Sequence, residues 1–329
     1  MHIVVTGGTG YIGEHFVPEL IRHGHTVRLV VRNLEKAQKL FGDSCEYWVG
    51  DVTDIKSLNG CCEKADIVYH MVAKVGNQLP SAEEFKAFRE VNVEGTRNIL
   101  QVAKSARVSR FIYVSSIAAM GIVQESPINE KSKCAPYLPY QVTKYEAEQY
   151  INEQIMDGFP AIIVRPTKVY GVGEHEYSYL KLAKMCKKGL FLKVGHGKNY
   201  TSNIYITDFV QALLLLLDRG FIGETYILSS DDSIGFTEAG KVIAEAIGKK
   251  VHIVPVPAGV MVAGASLEEK VFLRLGKKPI VTRKNVEATI TDRVYDLSKA
   301  KREIGFKPQV YMQEGIRKVV GWYLEKGLV

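Results

Sequence analysis

Apolar and polar positions switch between two periods along the first half of this chain, and the switch points mark its elements. The apolar run Ile3-Val4-Val5 breaks into Gly7, Gly8, Gly10 and Gly13 and then resumes at helical spacing. That order predicts a strand, a tight loop and a helix opening near Tyr11. Further strands are predicted over 26–31, 45–49, 66–72, 110–114 and 161–164, separated by helical or turn segments. The longest helical segment is predicted over 81–107, from Ser81 to Arg107, with Phe85, Phe88, Val91, Val93 and Leu100 on its apolar face. Strands alternating with helices predict an α/β chain of the Rossmann type, a doubly wound parallel sheet covered on both sides. Later helices are predicted over 177–188, 207–219, 236–247, 260–275 and 312–326, with strands over 203–206, 225–228 and 251–254.

The glycine loop brings the first chemistry. Gly7 permits a sharp turn off the strand, Gly10 lets backbone approach a pyrophosphate, and Gly13 lets the helix pack closely. The free N–H groups of Tyr11 and Ile12, at the positive end of the helix dipole, face the anion. At the end of the second strand an NAD site usually carries a carboxylate, whereas this chain has Val31 and Arg32. Arg32 can grip a 2′-phosphate, with Lys36 or Lys39 as a second positive charge, so NADP is favoured over NAD. Asp51, followed by Val52, ends the third strand where a carboxylate can reach the adenine amino group. His70, inside an apolar strand, reads as a packed histidine.

A second constellation follows. Ser115 and Ser116 end the fifth strand at the carboxyl edge, where ligands of such sheets bind. After a loop with Pro127, Pro136 and Pro139 comes a helix bearing Tyr140 and Lys144, four apart and therefore on one face. A nearby ammonium and a positive nicotinamide ring favour the phenolate of a tyrosine, and the lysine can also bind the nicotinamide ribose.

Composition excludes several classes. At 329 residues, 46% hydrophobic and 24% charged, the chain is of globular type. Its net charge of +7 is scattered in small groups such as Lys187-Lys188, Lys277-Lys278 and Arg283-Lys284, not gathered into a nucleic-acid stripe. Five cysteines without metal or disulfide spacing suit a reducing compartment. The chain opens directly in a strand, leaving no room for a signal peptide, and the apolar runs at 209–217 and 258–265 are short for a membrane span. A cytoplasmic enzyme with a small-molecule substrate, no metal, no nucleic acid and no membrane is expected.

The motifs together resemble the extended short-chain dehydrogenase/reductase family, also called the NAD-dependent epimerase/dehydratase family. They are Thr6-Gly7-Gly8-Thr9-Gly10-Tyr11-Ile12-Gly13, Gly50-Asp51-Val52, Asn92-Val93-Glu94-Gly95-Thr96, Val114-Ser115-Ser116, Tyr140 to Lys144, and Arg165-Pro166-Thr167-Lys168-Val169-Tyr170-Gly171. A looser match runs from Tyr295 to Pro308. The resemblance implies that Tyr140 is the acid/base, that Lys144 binds ribose and tunes it, and that Ser116 hydrogen-bonds the reacting oxygen, with Ser115 beside it. It implies that Asn92 shapes the site and a water path behind the lysine. It also implies that Pro166 to Val169 meet the nicotinamide carboxamide and that Ala73 joins the cofactor set. Residues 1–171 are expected to bind the dinucleotide and 172–329 mainly the substrate, the two interleaving around a cleft.

Two departures narrow the activity. Thr201 stands where nucleotide-sugar members often carry an arginine for a substrate phosphate, and Ile117-Ala118 replace the acidic pair of sugar dehydratases. The end of the second strand is nearer dihydroflavonol-reductase relatives and the tail nearer the 3β-hydroxysteroid dehydrogenase branch. The expectation is an NADP(H)-dependent oxidoreductase acting on a ketone or secondary alcohol. Its alternatives are a nucleotide-sugar epimerase that retains NAD(P) and a non-catalytic cofactor-binding regulator. Members of the family often pair through the helices that here bear Asn92 and Tyr140, which implies a homodimer.

Overall fold

A computed structural model describes residues 1–76, 82–195, 199–275, 286 and 291–329. The first half builds β1 (His2–Thr6), α1 (Tyr11–Arg22), β2 (Thr26–Val31), α2 (Leu34–Phe41), β3 (Glu46–Val49), β4 (Ile67–His70), α3 (Ala82–Arg89), α4 (Gly95–Ser105), β5 (Arg110–Val114), α5 (Pro139–Met156) and β6 (Ala161–Pro166). The second half adds β7 (Val169–Tyr170), α6 (Leu180–Lys187), β8 (Leu190–Val194), β9 (Tyr200–Thr201), β10 (Ile204–Tyr205), α7 (Ile206–Leu215), β11 (Thr225–Leu228), β12 (Ile234–Gly235), α8 (Phe236–Ile247), β13 (His252–Val256), α9 (Ala258–Arg274), α10 (Ser298–Ile304) and α11 (Met312–Glu325).

Seven parallel strands form the central sheet in the order β11-β6-β5-β4-β1-β2-β3. The chain moves outward from β1 through β2 to β3, then crosses to β4 on the other side of β1. That reversal opens a crevice beyond the carboxyl ends of β1 and β4, where Thr6 pairs in register with His70. Both faces of the sheet are covered, which is why the strands read as unbroken apolar runs. Ile3 and Val5 pack with Phe16 and Leu20 on one side, while Val4 packs with Val68, Ile99 and Phe111 on the other.

The halves of the chain share this sheet. β11, from the second half, pairs with β6 through Thr225↔Ile163 and makes the sheet's edge, and the Tyr69 hydroxyl donates to the Leu213 carbonyl of α7 at 2.7 Å. The smaller pairings are β7 with β10, β8 with β13, and β9 with β12. Among the described residues no helix is long and apolar enough to cross a membrane.

Three expectations shift. The helix predicted over 81–107 runs from Ala82 to Ser105, Ser81 lying outside the described residues, and a π-helical turn at Glu90–Glu94 inside it divides α3 from α4. The strand predicted over 203–206 shrinks to Ile204–Tyr205 because α7 begins at Ile206. The helix predicted over 177–188 begins only at Leu180, since Tyr177 has φ +50°.

Candidate active site

The glycine loop is shaped by close backbone packing. Gly7 has φ +78°, and a Cβ there would come 2.9 Å from the Met71 carbonyl carbon. A Cβ on Gly13 would run into the Gly8 backbone, so this glycine lets the first turn of α1 lie on the loop itself. Gly10 meets only the Gly7 carbonyl, and it caps α1 without any side-chain hydrogen bond, leaving the Tyr11 and Ile12 end of the helix for an anion.

At the adenosine end Arg32 is exposed, and its guanidinium stands 3.7 Å from the Asp51 carboxylate. Asp51 also accepts hydrogen bonds from the Thr53 N–H and hydroxyl, each at 2.9 Å. Val52 is buried, and its carbonyl accepts from the Asn98 amide at 2.8 Å. The lysine that reaches the glycine loop is Lys36, whose Nζ donates to the Thr9 carbonyl at 2.6 Å and stands 3.7 Å from Glu14. Lys39 lies three residues further along α2, exposed.

Beyond β5 the reacting groups converge. Ser116 caps a short 3-10 turn, accepting the Ala118 N–H at 3.1 Å, and its hydroxyl comes near enough to Tyr140 in the first turn of α5 to affect that phenol. Burial pushes the Tyr140 hydroxyl up to about 12; the Ser116 hydroxyl pulls it down and the Glu176 carboxylate pushes it further up. Lys144 is 1% exposed. Its Nζ donates to the Val114 carbonyl at 2.8 Å and lies 4.2 Å from the centre of the Tyr113 ring. Burial lowers this amine to about 7, opposed by the charge of Glu148. The spacing aligns the two side chains, but the long lysine stem carries its head onto β5.

Asn92 is buried on the π-helical turn. Both of its amide hydrogens are used, on the Lys74 carbonyl and the Thr143 hydroxyl, each at 3.0 Å, and its oxygen accepts the Lys74 N–H at 2.7 Å. Thr143 in turn donates to the Pro139 carbonyl at 2.8 Å. The residue is thus a clamp joining the π-helical turn, the Ala73–Lys74 loop beyond β4 and the first turn of α5. Pro166 ends β6 and Val169 opens β7. The loop between them is fixed by the Thr167 N–H on the Leu228 carbonyl at 2.9 Å and the Ile204 N–H on the Lys168 carbonyl at 3.1 Å. His70 is fully buried between the Thr6 and Thr96 hydroxyls, at 2.7 and 3.0 Å, and driven down to about 3 by burial, so it is neutral.

Sequence reasoning missed a strap over residues 171–179. Buried Glu174 accepts hydrogen bonds from the Ser178 N–H at 2.6 Å, the Ser178 hydroxyl and the Tyr323 hydroxyl of α11. His175 stands 3.7 Å from Glu14 on α1, the Tyr11 hydroxyl donates to the Val172 carbonyl at 3.4 Å, and Tyr177 stacks on Trp322 at 6.0 Å. The strap so held brings Glu176 within electrostatic reach of Tyr140. No local pattern signals it, because its fasteners lie far away in the chain.

A dinucleotide fits these groups. Glycines stand where side chains would fill the cradle, the α1 end is uncapped, and the buried Ser115 hydroxyl finds no partner among the described residues. A parallel sheet with this cradle at its switch point and a Ser-Tyr-Lys set beside it defines a nicotinamide-dependent enzyme. The family model described as the NAD dependent epimerase/dehydratase family matches residues 3–229, and the chain belongs to that family, the extended short-chain type of NAD(P)-dependent dehydrogenases, reductases and epimerases.

Relatives span those activities. The chain is 26% identical over 325 residues to a 4-hydroxy-2-methyl-3-oxo-4-farnesyl-3,4-dihydroquinoline-1-oxide ketoreductase of Stigmatella aurantiaca, covering 96% of this chain and 95% of the relative. It is 25% identical over 352 residues to a decarboxylating sterol-4-alpha-carboxylate 3-dehydrogenase of Saccharomyces cerevisiae, covering 99% and 98%. In fold it is similar to a UDP-glucose 4-epimerase of Thermotoga maritima solved with UDP-glucose, with a TM-score of 0.77, 21% identity and 99% of each chain covered.

Proposed function

We propose that this protein is an NADP(H)-dependent oxidoreductase that interconverts a ketone and a secondary alcohol. The observation that carries the reading is the nearness of Ser116 to Tyr140 beyond the carboxyl end of β5, in the same fold as the uncapped glycine cradle. When bound, the nicotinamide supplies or accepts the hydride. The protein's part is the proton. Tyr140, holding its proton up to about 12, donates it to the carbonyl oxygen that Ser116 also hydrogen-bonds. Lys144 of α5, its head against the Val114 carbonyl of β5, would bind the nicotinamide ribose, and the Pro166–Val169 loop would offer backbone groups to the carboxamide.

Several observations favour this reading over an epimerase. Thr201 cannot supply the paired donors a diphosphate needs, and Ile117-Ala118 follow Ser116 where a dehydratase has acids. The ketoreductase and sterol dehydrogenase relatives point to a hydrophobic ketone. Arg32 and Lys36 flank the cradle without a carboxylate on β2 between them, which supports NADP over NAD. Purified protein should oxidise added NADPH stoichiometrically with a hydrophobic ketone. An isomerised nucleotide sugar with no net change in the cofactor would overturn the reading in favour of epimerisation, and cofactor binding without turnover of either would favour a regulator.

We further place the protein in the cytoplasm as a homodimer. α3 and α4 lie beside α5, tied by Arg89 to Glu146 at 3.4 Å, Lys104 to Gln154 at 3.0 Å and Arg97 over the Tyr150 ring at 4.9 Å. Such a helical face can be paired across a twofold axis into a four-helix bundle. Light scattering should give twice the chain mass; a monomer mass at micromolar concentration would remove the dimer.

A further inference from the structure

The helix that bears Tyr140 and Lys144 continues the same spacing to Glu148, the next residue along one face. Glu148 is fully buried and Arg165 of β6 is 6% exposed. Arg165 grips the carboxylate with both arms of its fork: Nε donates to Oε1 at 3.0 Å and Nη2 to Oε2 at 2.7 Å. The remaining arm reaches the Glu130 carbonyl at 3.5 Å, and the Glu130 carboxylate is itself taken by the Ile227 N–H at 3.0 Å. The pair is therefore locked by three segments of the fold.

Lys144 has no carboxylate of its own. Its hydrogen bond goes to a neutral carbonyl and its other close partner is the Tyr113 ring. Among the described residues, the charged and titratable groups that act on it are Glu148 on α5, Tyr113 on β5 and neutral His70 on β4, with Arg165 on β6 beyond Glu148. Among these, only Glu148 offers a negative charge at neutral pH.

We propose that Glu148, clamped by Arg165, is a positioning residue that keeps the Lys144 ammonium charged within the cofactor cleft. The carboxylate never touches substrate or cofactor. It offsets the cost of holding an ammonium out of water, and Arg165 fixes it at the right distance. This role rests on the function proposed above only for its catalytic consequence; the charge of Lys144 can be read without turnover.

The test is Glu148→Gln, followed by the ¹⁵Nζ signal of Lys144 across pH in the purified full chain. The midpoint should fall by about one pH unit, and the alkaline limb of kcat/KM for ketone reduction should move down with it, while activity near pH 6 stays within a few-fold of wild type. Because Gln leaves Arg165 buried and unpaired, the double variant Glu148→Gln/Arg165→Met serves as the folding control and should show a smaller fall. An unmoved Lys144 midpoint in either folded variant would overturn the proposal. So would a uniform loss of activity at all pH values, the mark of a purely structural pair. If no ketone is turned over at all, the Lys144 midpoint alone decides.

Discussion

Charged groups meet the cofactor cleft under opposite conditions at its two ends. Around α5, Lys144, Glu148 and Arg165 are 1%, 0% and 6% exposed. At the β2 edge, Arg32 and Asp51 have side chains 77% and 38% exposed and stand 3.7 Å apart. In the dry region a single neighbouring charge changes which groups carry protons. At the wet edge the same charge competes with water and salt, and ion pairs there contribute little. On the function proposed above, the chemistry would lie where substitution is costly and cofactor preference where it is not.

The largest effect should come from the dry end. Tyr140→Phe is expected to lower kcat by about 10²–10⁴-fold, with NADPH affinity, measured by fluorescence titration, nearly unchanged. Activity within a few-fold of wild type would place the proton donor elsewhere. An intermediate effect concerns stability. Burial holds Lys144 at about 7 in the folded protein, against about 10.4 in an unfolded chain. Between those values the unfolded state binds more protons, so Lys144 makes stability rise with pH in that window. Lys144→Met should remove this slope, narrowing its advantage over wild type as urea midpoints are followed from pH 7 to pH 10; a constant gap would show that the buried ammonium is not the cause.

The smallest effect belongs to the wet end. NADPH should bind about tenfold more tightly than NADH, one charge-assisted contact's worth, and 0.5 M salt should shrink the difference. Val31→Asp with Arg32→Asn should reverse it. Equal dissociation constants in the unmodified protein would erase the contrast between the two ends, leaving Arg32 as a solvated surface charge.

How much of this was legible in the sequence follows the distance between partners. The strands at 26–31, 110–114 and 225–228 were readable residue for residue, since burial on both faces leaves a largely apolar run, broken within 26–31 only by Arg28. The two-residue strands β9 and β12 carry no period, and β8 follows directly on a predicted helix, so all three were missed. Gly7, Gly13, Ser116, Tyr140 and Lys144 were nameable because short spacings bring them to one place. Where each lysine or amide would point was not. Lys144 turns to Val114 and Asn92 to Lys74 because topology brings those backbones alongside. Glu148 had a signal in the continued spacing from Tyr140, but its meaning needed Arg165, 17 residues on. Lys36 and Lys39 look alike in sequence; only the packing of α2 shows that the one nearer its start reaches Thr9.

The Glu174 carboxylate gives this protein an order of completion. Its pocket is closed by Tyr323, 149 residues later, on the last helix. During synthesis the glycine loop and strands β1 to β6 are all made before that residue exists, so the strap cannot be fastened to α11 until the chain has been made past Tyr323. A chain cut short before Tyr323 would keep every strand of the sheet but have no clasp.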